Sequence, residues 1–414
     1  MSRLEELINE LCPNGVEYKK LADICNFNRG TSLVSKNAKS GNIPVISGGQ
    51  KPAFYHNEAN RTGTTITVAG SGAYAGYVSI WYEPIFVCDA FSVEPKNADE
   101  LDIKYLYHYL TNNQNKIYNK KTGAGIPHVH GKDIAKFSIP LPPLSIQSEI
   151  VHILDSFTLL TAELTAELTA RQKQYAFYRD YLLDFSDGDV TKKIPDIDCS
   201  NVEYKRLGDI SNIIRGGNFQ KKDFVEQGNP CIHYGQIYTR LGTTTLNAIT
   251  YLNDDVYNKS KKAMSNDIVM AVTSENIEDV CKCTVWLGNE DVAVSGHTAI
   301  IHPLINSKYL AYYFQTTMFF KQKRKLAHGT KVIEVTPDKL NDISIPVPPL
   351  SVQENIVKIL DRFDKLNNNM SEGLPAEIEA RKKQYEYYRD TLLSFDDKAC
   401  SQIVKVERER ERES

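Results

Sequence analysis

No stretch of the 414 residues approaches the roughly 20 consecutive apolar positions that a bilayer-spanning helix needs. The opening, Met1-Ser2-Arg3-Leu4-Glu5-Glu6-Leu7-Ile8, starts an amphipathic helix and lacks the apolar core of a signal peptide. A cytoplasmic protein with no membrane partner is expected. Paired cysteines are missing as well: there are eight, scattered, with no C-x-x-C spacing. Cys281-Lys282-Cys283 and Cys231-Ile232-His233 come nearest to metal-ligand pairs, but neither has a second pair at suitable spacing. No metal is expected, and the thiols read as reduced and structural. The phosphate loop G-x-x-x-x-G-K-[ST] is absent, which argues against ATP hydrolysis by this chain. Gly70-Ser71-Gly72 is only a fragment of a dinucleotide fingerprint. Pro142-Pro143 and Pro348-Pro349 lack the preceding Asn or Asp and the following aromatic of an amino-methyltransferase motif. Excess charge of one sign is also lacking, with a net charge of -3. A polyanion would be held weakly by the whole chain, although both globular interiors described below are mildly positive and a balanced total can hide a basic face.

What the chain does contain is itself, twice. Val16–Ile24 (VEYKKLADI) returns as Val202–Ile210 (VEYKRLGDI). Ser138–Gln147 (SIPLPPLSIQ) returns as Ser344–Gln353 (SIPVPPLSVQ). Arg171-Gln172-Lys173-Gln174-Tyr175 and Tyr178-Arg179-Asp180 return as Arg381-Lys382-Lys383-Gln384-Tyr385 and Tyr388-Arg389-Asp390. Three matched segments in one order mark a tandem duplication. Residues 25–136 and 211–342, which lie between the matched segments, have diverged. Neutral drift would blur frame and interior alike. A kept frame around unlike interiors therefore points to one scaffold carrying two different specificities.

The frame reads as helical. Ile150, Ile153, Phe157, Leu160, Leu164, Leu168, Arg171, Tyr175, Tyr178 and Leu182 step by three or four, a heptad-like seam. Pro142-Pro143 fixes its start, with Ser145 as N-cap, and a helix from there to Phe185 would be about 60 Å long. The second seam runs through Ile356, Ile359, Phe363, Leu366, Ile378, Arg381, Tyr385, Tyr388 and Leu392, broken at Gly373-Leu374-Pro375. Each seam needs a partner, and the nearest is the other copy. The fold expected is mixed α/β (α+β): two globular heads joined by two long antiparallel coiled-coil helices with internal pseudo-two-fold symmetry. The helix at Leu4–Leu11 is placed near the end of the second long helix. Within the heads, Ile43–Ile46, Thr64–Val68, Ile85–Val87, Ile268–Val272 and Val292–Val294 read as short strands. A Tyr-rich helix follows in each, around Tyr105–Leu110 and Tyr309–Phe314.

Base readout requires forked or bidentate polar side chains on loops that approach a groove, and phosphate contacts require Lys, Arg, Ser, Thr or backbone amides. The first head offers Arg29, Thr31, Ser32, Gln50, Lys51, Ser71, Tyr74, Lys120, Lys121 and His128 in Gly-rich loops. The second offers Arg215, Lys221, Lys222, Tyr234, Gln236, Tyr238, Thr239, Arg240, Thr273, Ser274, Asn276 and His297. Its basic run 321–325 adds Lys325, followed by Thr330 and Lys331. Singly, each loop has the ordinary reading of a surface turn; recurrence at matching places in both copies gives the set its weight. Pro195-Asp196 before Glu203-Tyr204-Lys205 imitates the carboxylate-plus-lysine set of a nuclease. The first copy repeats Glu17-Tyr18-Lys19 without that carboxylate, so a structural role suffices.

The Ile-Pro-Leu-Pro-Pro-Leu-Ser-Ile-Gln segment (139–147), the Leu154-to-Phe157 and Leu360-to-Phe363 steps and the Arg-x-Lys-Gln-Tyr-x-x-Tyr-Arg-Asp segments resemble the specificity (S) subunits of type I restriction-modification enzymes. So do the Thr-Ala-Glu-Leu double repeat (161–168) and the His233–Arg240 segment, and the resemblance covers nearly the whole chain. It implies a non-catalytic chain, and the sequence divides into five parts, the last of which, the tail, departs from the family's pattern, as does the break at Gly373–Pro375. Residues 1–144 hold the N-terminal helix and the first target-recognition domain, and 145–186 the first spacer helix. Residues 187–350 hold a linker and the second recognition domain, 351–396 the second spacer helix, and 397–414 a charged tail read as solvated and disordered. It implies double-stranded DNA with a bipartite site as ligand, two methyltransferase subunits docked on the frame, and restriction/translocase subunits beyond them. It also implies no cofactor in this chain, with S-adenosylmethionine, ATP and Mg2+ on the partners. Two other readings stand beside it. One is a coiled-coil scaffold whose paired heads bind protein, which a salt series would reveal by unchanged affinity. The other is a nuclease or methyltransferase, testable by adding metal or methyl donor.

Overall fold

The computed structural model describes residues 3–186, 202–368 and 373–395. The chain divides into two compact units, residues 1–163 with 379–414, and residues 164–378. In the first unit the two frame segments find each other: strand Tyr18–Lys20 pairs antiparallel with Ser138–Pro140, Lys19 opposite Ile139. Between them lies a four-stranded antiparallel sheet in the order Cys25–Arg29, Ala90–Pro95, Thr65–Ala69, Val78–Trp81. A smaller sheet runs Phe54–His56, Ile43–Ile46, Phe86–Val87. The second unit repeats the plan. Glu203–Arg206 pairs antiparallel with Ser344–Val347. One five-stranded sheet runs Ser211–Arg215, Thr298–Pro303, Ile268–Ala271, Cys283–Trp286, Thr244–Thr245. The other runs Phe224–Val225, Thr250–Leu252, Asn229–Ile232, Val292–Val294, Lys262–Ala263. The expected strands are all present, to within a residue or two at their ends.

Helix Leu144–Leu183 is 40 residues long, about 60 Å at the α-helical rise. It begins one residue before Ser145, which therefore sits in the first turn and does not cap it. The Pro143 carbonyl accepts the amides of Ile146 and Gln147 instead. The second copy is split into Leu350–Asn368 and Leu374–Leu392, restarting after Gly373 with Pro375 in the first turn, where proline is tolerated. In the first unit Phe157 meets Tyr388 with ring centroids 4.9 Å apart; in the second Tyr175 meets Phe363 at 6.4 Å. The pairing rises along one copy as it falls along the other, the order of antiparallel partners. Burial is uneven along the seam. Ile150, Ile153, Phe157, Tyr175 and Leu182 are buried, Leu160, Leu164 and Leu168 half-buried, and Arg171, Tyr178 and Leu366 exposed. Arg171 and Leu366 lie outside the buried clusters, whereas Tyr178 still stacks on Phe363 with ring centroids 5.7 Å apart. No helix among the described residues is long and apolar enough to cross a membrane.

Head and long helix are tied within each unit by one repeated set of bonds. The buried Gln147 side chain accepts the Asp102 amide and donates to the carbonyls of Glu100 and Pro142, at 2.7 to 2.9 Å. Gln353 likewise accepts the Asn306 amide and donates to the Pro348 carbonyl. Tyr105 and Tyr309 donate to the carbonyls of Pro140 and Pro346, and Tyr109 and Tyr313 to those of Ser138 and Ser344. Asp155 pairs with Lys104 and Asp361 with Lys308, each at 2.8 Å. The one swap is His108, bonded to Asp155 at 2.9 Å, where the second copy has the Tyr312 hydroxyl on Asp361 at 2.7 Å. Leu4 and Ile8 share a core with Ile150, Phe157, Tyr388 and Leu392, so the N-terminal helix lies where it was expected. Each buried polar atom stranded in such a network costs about 1–3 kcal/mol. Gln353→Ala, which strands an amide and a carbonyl, should therefore lower the unfolding free energy by roughly 2–4 kcal/mol in urea titrations. A loss under 0.5 kcal/mol would show that the bonds are idle.

Candidate nucleic-acid interface

Several loops carrying candidate residues leave the strand ends on one side of each head, and the register explains why. In the first head Arg29 lies opposite Phe91 and Ala69 opposite Ala90, so the loops after Arg29, after Ala69 and before Ala90 emerge together. Gly30 then donates its amide to the Ala90 carbonyl and Thr31 to that of Val87, both at 2.9 Å. Cys88 donates to Ile46, which brings in the loop 47–51. Gly70 donates to Asp89 and accepts from Val129, and Thr122 and His128 exchange both bonds to close a hairpin. The second head reproduces this skeleton bond for bond. Gly216 donates to Thr298, Gly217 to Val294, Ser295 to Ile232 and Val272 to His297; Val335 donates to Val272, and His328 and Glu334 close the hairpin. Glycine is required at the turn, because a Cβ on Gly30 or Gly216 would run into the carbonyl oxygen of Cys88 or Ser295.

On this common skeleton the side chains differ. In the first head Arg29, Thr31, Ser32, Gln50, Lys51, Tyr74, Lys120 and His128 are exposed. The Ser71 hydroxyl donates to Asp89. Lys121 donates to the Ala73 carbonyl at 3.1 Å and lies 4.4 Å from the Tyr118 ring. Arg29, Asp89, His128, His130 and Lys132 line a cleft of about 260 Å³.

In the second head Arg215, Lys221, Lys222, Thr239, Arg240, Asn276, His297, Lys325, Thr330 and Lys331 are exposed. Arg215 donates to the Gly296 carbonyl and pairs with Glu334, both at 3.2 Å, so it is positioned from beneath. The Tyr234 ring sits 5.1 Å from that of His297, and the Tyr238 hydroxyl donates to the Thr273 carbonyl at 2.6 Å. Arg240 follows helix Tyr234–Thr239, exposed at its C-terminal end.

Several expected readers are committed elsewhere. Gln236 is buried: its carbonyl oxygen accepts the His233 amide and its nitrogen donates to Thr250 at 2.8 Å. It closes a capping box and presents no amide to a base. Thr273 is buried in a short strand paired with Ile333–Glu334. Asn276 spends both ends of its amide on Asp279, the Thr239 hydroxyl is bonded to the Gly235 carbonyl, and the half-buried Ser274 accepts the Asn276 amide at 3.4 Å. Lys325 lies in the last turn of helix Thr317–Leu326, where a cation is favoured by the helix dipole, and among the described residues no bond brings it to the strand-end loops.

The structure adds two residues that the sequence did not single out. Asp89 and Glu334 steer Ser71 and Arg215 across the loops. His233, whose ring nitrogen accepts the Gly235 amide, is pushed down to about 4 by burial, with Lys221 and His297 adding to the effect, so it stays neutral. Burial raises the Cys231 and Cys281 thiols to about 11 and about 12. Glu203 and Lys205 pair with each other at 3.1 Å on a frame strand; Asp196 lies outside the described residues, as do the linker at 187–201 and the tail at 397–414.

The model of the family described as type I restriction modification DNA specificity domain matches twice, at residues 13–171 and 199–380. The chain is 31% identical to the type I restriction enzyme EcoR124I/EcoR124II specificity subunit of Escherichia coli, over 95% of this chain and 97% of that one. Its fold is similar to that of the S subunit of a type I restriction-modification system from M. genitalium, with a TM-score of 0.58 at 15% identity, covering 92% of this chain and 97% of the other. It is similar too to a chain solved for the complex assembly and conformational transition of the type I R-M system, with a TM-score of 0.57 at 17% identity, covering 92% and 98%. Two matched copies of one domain, spanning most of the length, place this chain in the type I restriction-modification DNA specificity family.

Proposed function

We propose that the chain is a non-catalytic specificity subunit in which each head reads one half of a bipartite double-stranded DNA site. The heads fall within residues 1–144 and 187–350, and the helices within 145–186 and 351–396 set the unread gap. The observation that carries this reading is one backbone skeleton displayed twice with unlike side chains at its loop edge, as two readers of different sequences require. Two methyltransferase subunits would dock on the repeated frame, and restriction/translocase subunits would join for cleavage. S-adenosylmethionine, ATP and Mg2+ belong to those partners. The near-neutral charge accords with DNA being held by the whole complex. Co-expression with the candidate methyltransferase partner and mapping of methylated bases should give one motif in two parts with a fixed gap. A single uninterrupted motif, or methylation indifferent to sequence, would end this reading.

Within it, Arg240 is the strongest candidate for direct readout in the second head, being exposed on a loop held by the Gln236–His233 cap. Arg240→Ala should weaken cognate binding by about 1–3 kcal/mol and relax one position of the second half-site, as loss of a bidentate base contact does. An equal loss on all sequences would make it a phosphate contact.

A further inference from the structure

The two hairpins at the loop edge share a feature that charge and hydrogen bonding leave unused. In the first, Gly123 adopts φ +105° and Ile126, three residues on, is 62% exposed. In the second, Gly329 adopts φ +106° and Val332, also three residues on, is 57% exposed. A Cβ on either glycine would strike the carbonyl oxygen of that same Ile126 or Val332, so the turn is built around presenting this residue. Tips of this kind ordinarily carry Asn, Asp, Ser or Gly. A lone exposed aliphatic means little. One at the same position of the same turn, in two interiors that otherwise diverged, requires a reason common to both. Polar residues follow or precede it closely in each hairpin: His128, whose backbone bridges to Ser71, in one head, and Lys331 with Glu334, the partner of Arg215, in the other.

Resting on the DNA-reading function above, we infer that Ile126 and Val332 are apolar wedges that enter the duplex between neighbouring base pairs, one in each half-site. A branched aliphatic offers no hydrogen bond and reads no donor–acceptor pattern. It can partly unstack a base step, and the resulting bend lets more of the head reach the DNA. A contact to a thymine methyl would need the same base in both half-sites. A wedge needs only a deformable step, which explains why the residue type is kept while its neighbours change.

The test uses the complete complex with its methyltransferase subunits, on duplexes carrying the mapped motif and 2-aminopurine or pyrrolocytosine at each position except the methylated base. Wild type should show a fluorescence rise at one step in each half-site. Ile126→Ser should abolish the rise in the first half-site, with binding weaker by about tenfold, and leave the second intact. Val332→Ser should do the converse, and Ile126→Met should retain the signal. The wedge is overturned if wild type shows no rise or if the serine variants keep it. It is equally overturned if deoxyuridine for thymine weakens wild type as much as the substitution does, or if the variants fail to assemble with the methyltransferase subunits. A bipartite motif with no fluorescence change removes only the wedge, whereas no bipartite motif removes the function on which it rests.

Discussion

Replacing residues 25–136 with the matching interior of a related chain should change one half of the methylated motif completely and leave the other half and the gap as they were. The joints fall in frame structure: strand Tyr18–Lys20 is locked to Ser138–Pro140, and the amides of Leu21 and Ala22 bond to the carbonyls of Phe137 and Ala135. Among the described residues, few groups of the exchanged segment bond to the long helices. Lys104 and His108 meet Asp155, Asn112 accepts from Arg389, and the backbone of the turn at Glu100–Asp102 meets Gln147. The duplication shows which of these a donor must supply. The second copy keeps the lysine and both frame tyrosines but puts Tyr312 in place of His108, so a donor with any hydrogen-bonding side chain there should be accepted. Sequencing-based mapping of methylated sites gives the result directly. A folded chimera that changed both half-sites would refute independent reading by the two heads.

Adding one Thr-Ala-Glu-Leu unit after Leu168 should lengthen the long helix by about 6 Å and widen the unread gap by one or two base pairs, given about 3.4 Å per pair. Four residues exceed one helical turn by only about 40°. The half-buried stripe Leu160, Leu164, Leu168 therefore continues into the insert in nearly the same direction. From 158 to 174 the helix buries no residue fully, so the insertion disturbs no packed core. Loss of folding would contradict that burial pattern, and an unchanged gap would deny the helix its role as spacer.

The repeated frame was legible because repetition is visible without knowing any contact. Its bonding was not: Gln147 and Gln353 stand in matched text, but that each ties a head to a helix depends on residues some forty positions away. At the loop edge the Gly30 and Gly216 turns could be read from their glycines. Gln236 was misread although a warning stood in the sequence, since His233-x-x-Gln236 has the spacing of an N-cap and its N3 partner. Asn276 and Asp279 likewise have the spacing of a side chain that bonds a backbone amide three residues on. Asp89 and Glu334 carried no local signal, because their partners are brought to them by strand register alone. The seam was over-extended at Arg171 and Leu366, which are exposed, whereas Tyr178, partly exposed, still stacks on Phe363 of the other copy.

The unit that contains the first head also contains Tyr388 and Leu392, whereas residues 164–378 hold every part of the other core. On the ribosome, where chains grow from the N-terminus and domains fold as units, the second head can therefore close first. The first must wait, its apolar helix face uncovered, until the final helix emerges, and premature termination between residues 378 and 388 would leave one finished reader and one without its clasp.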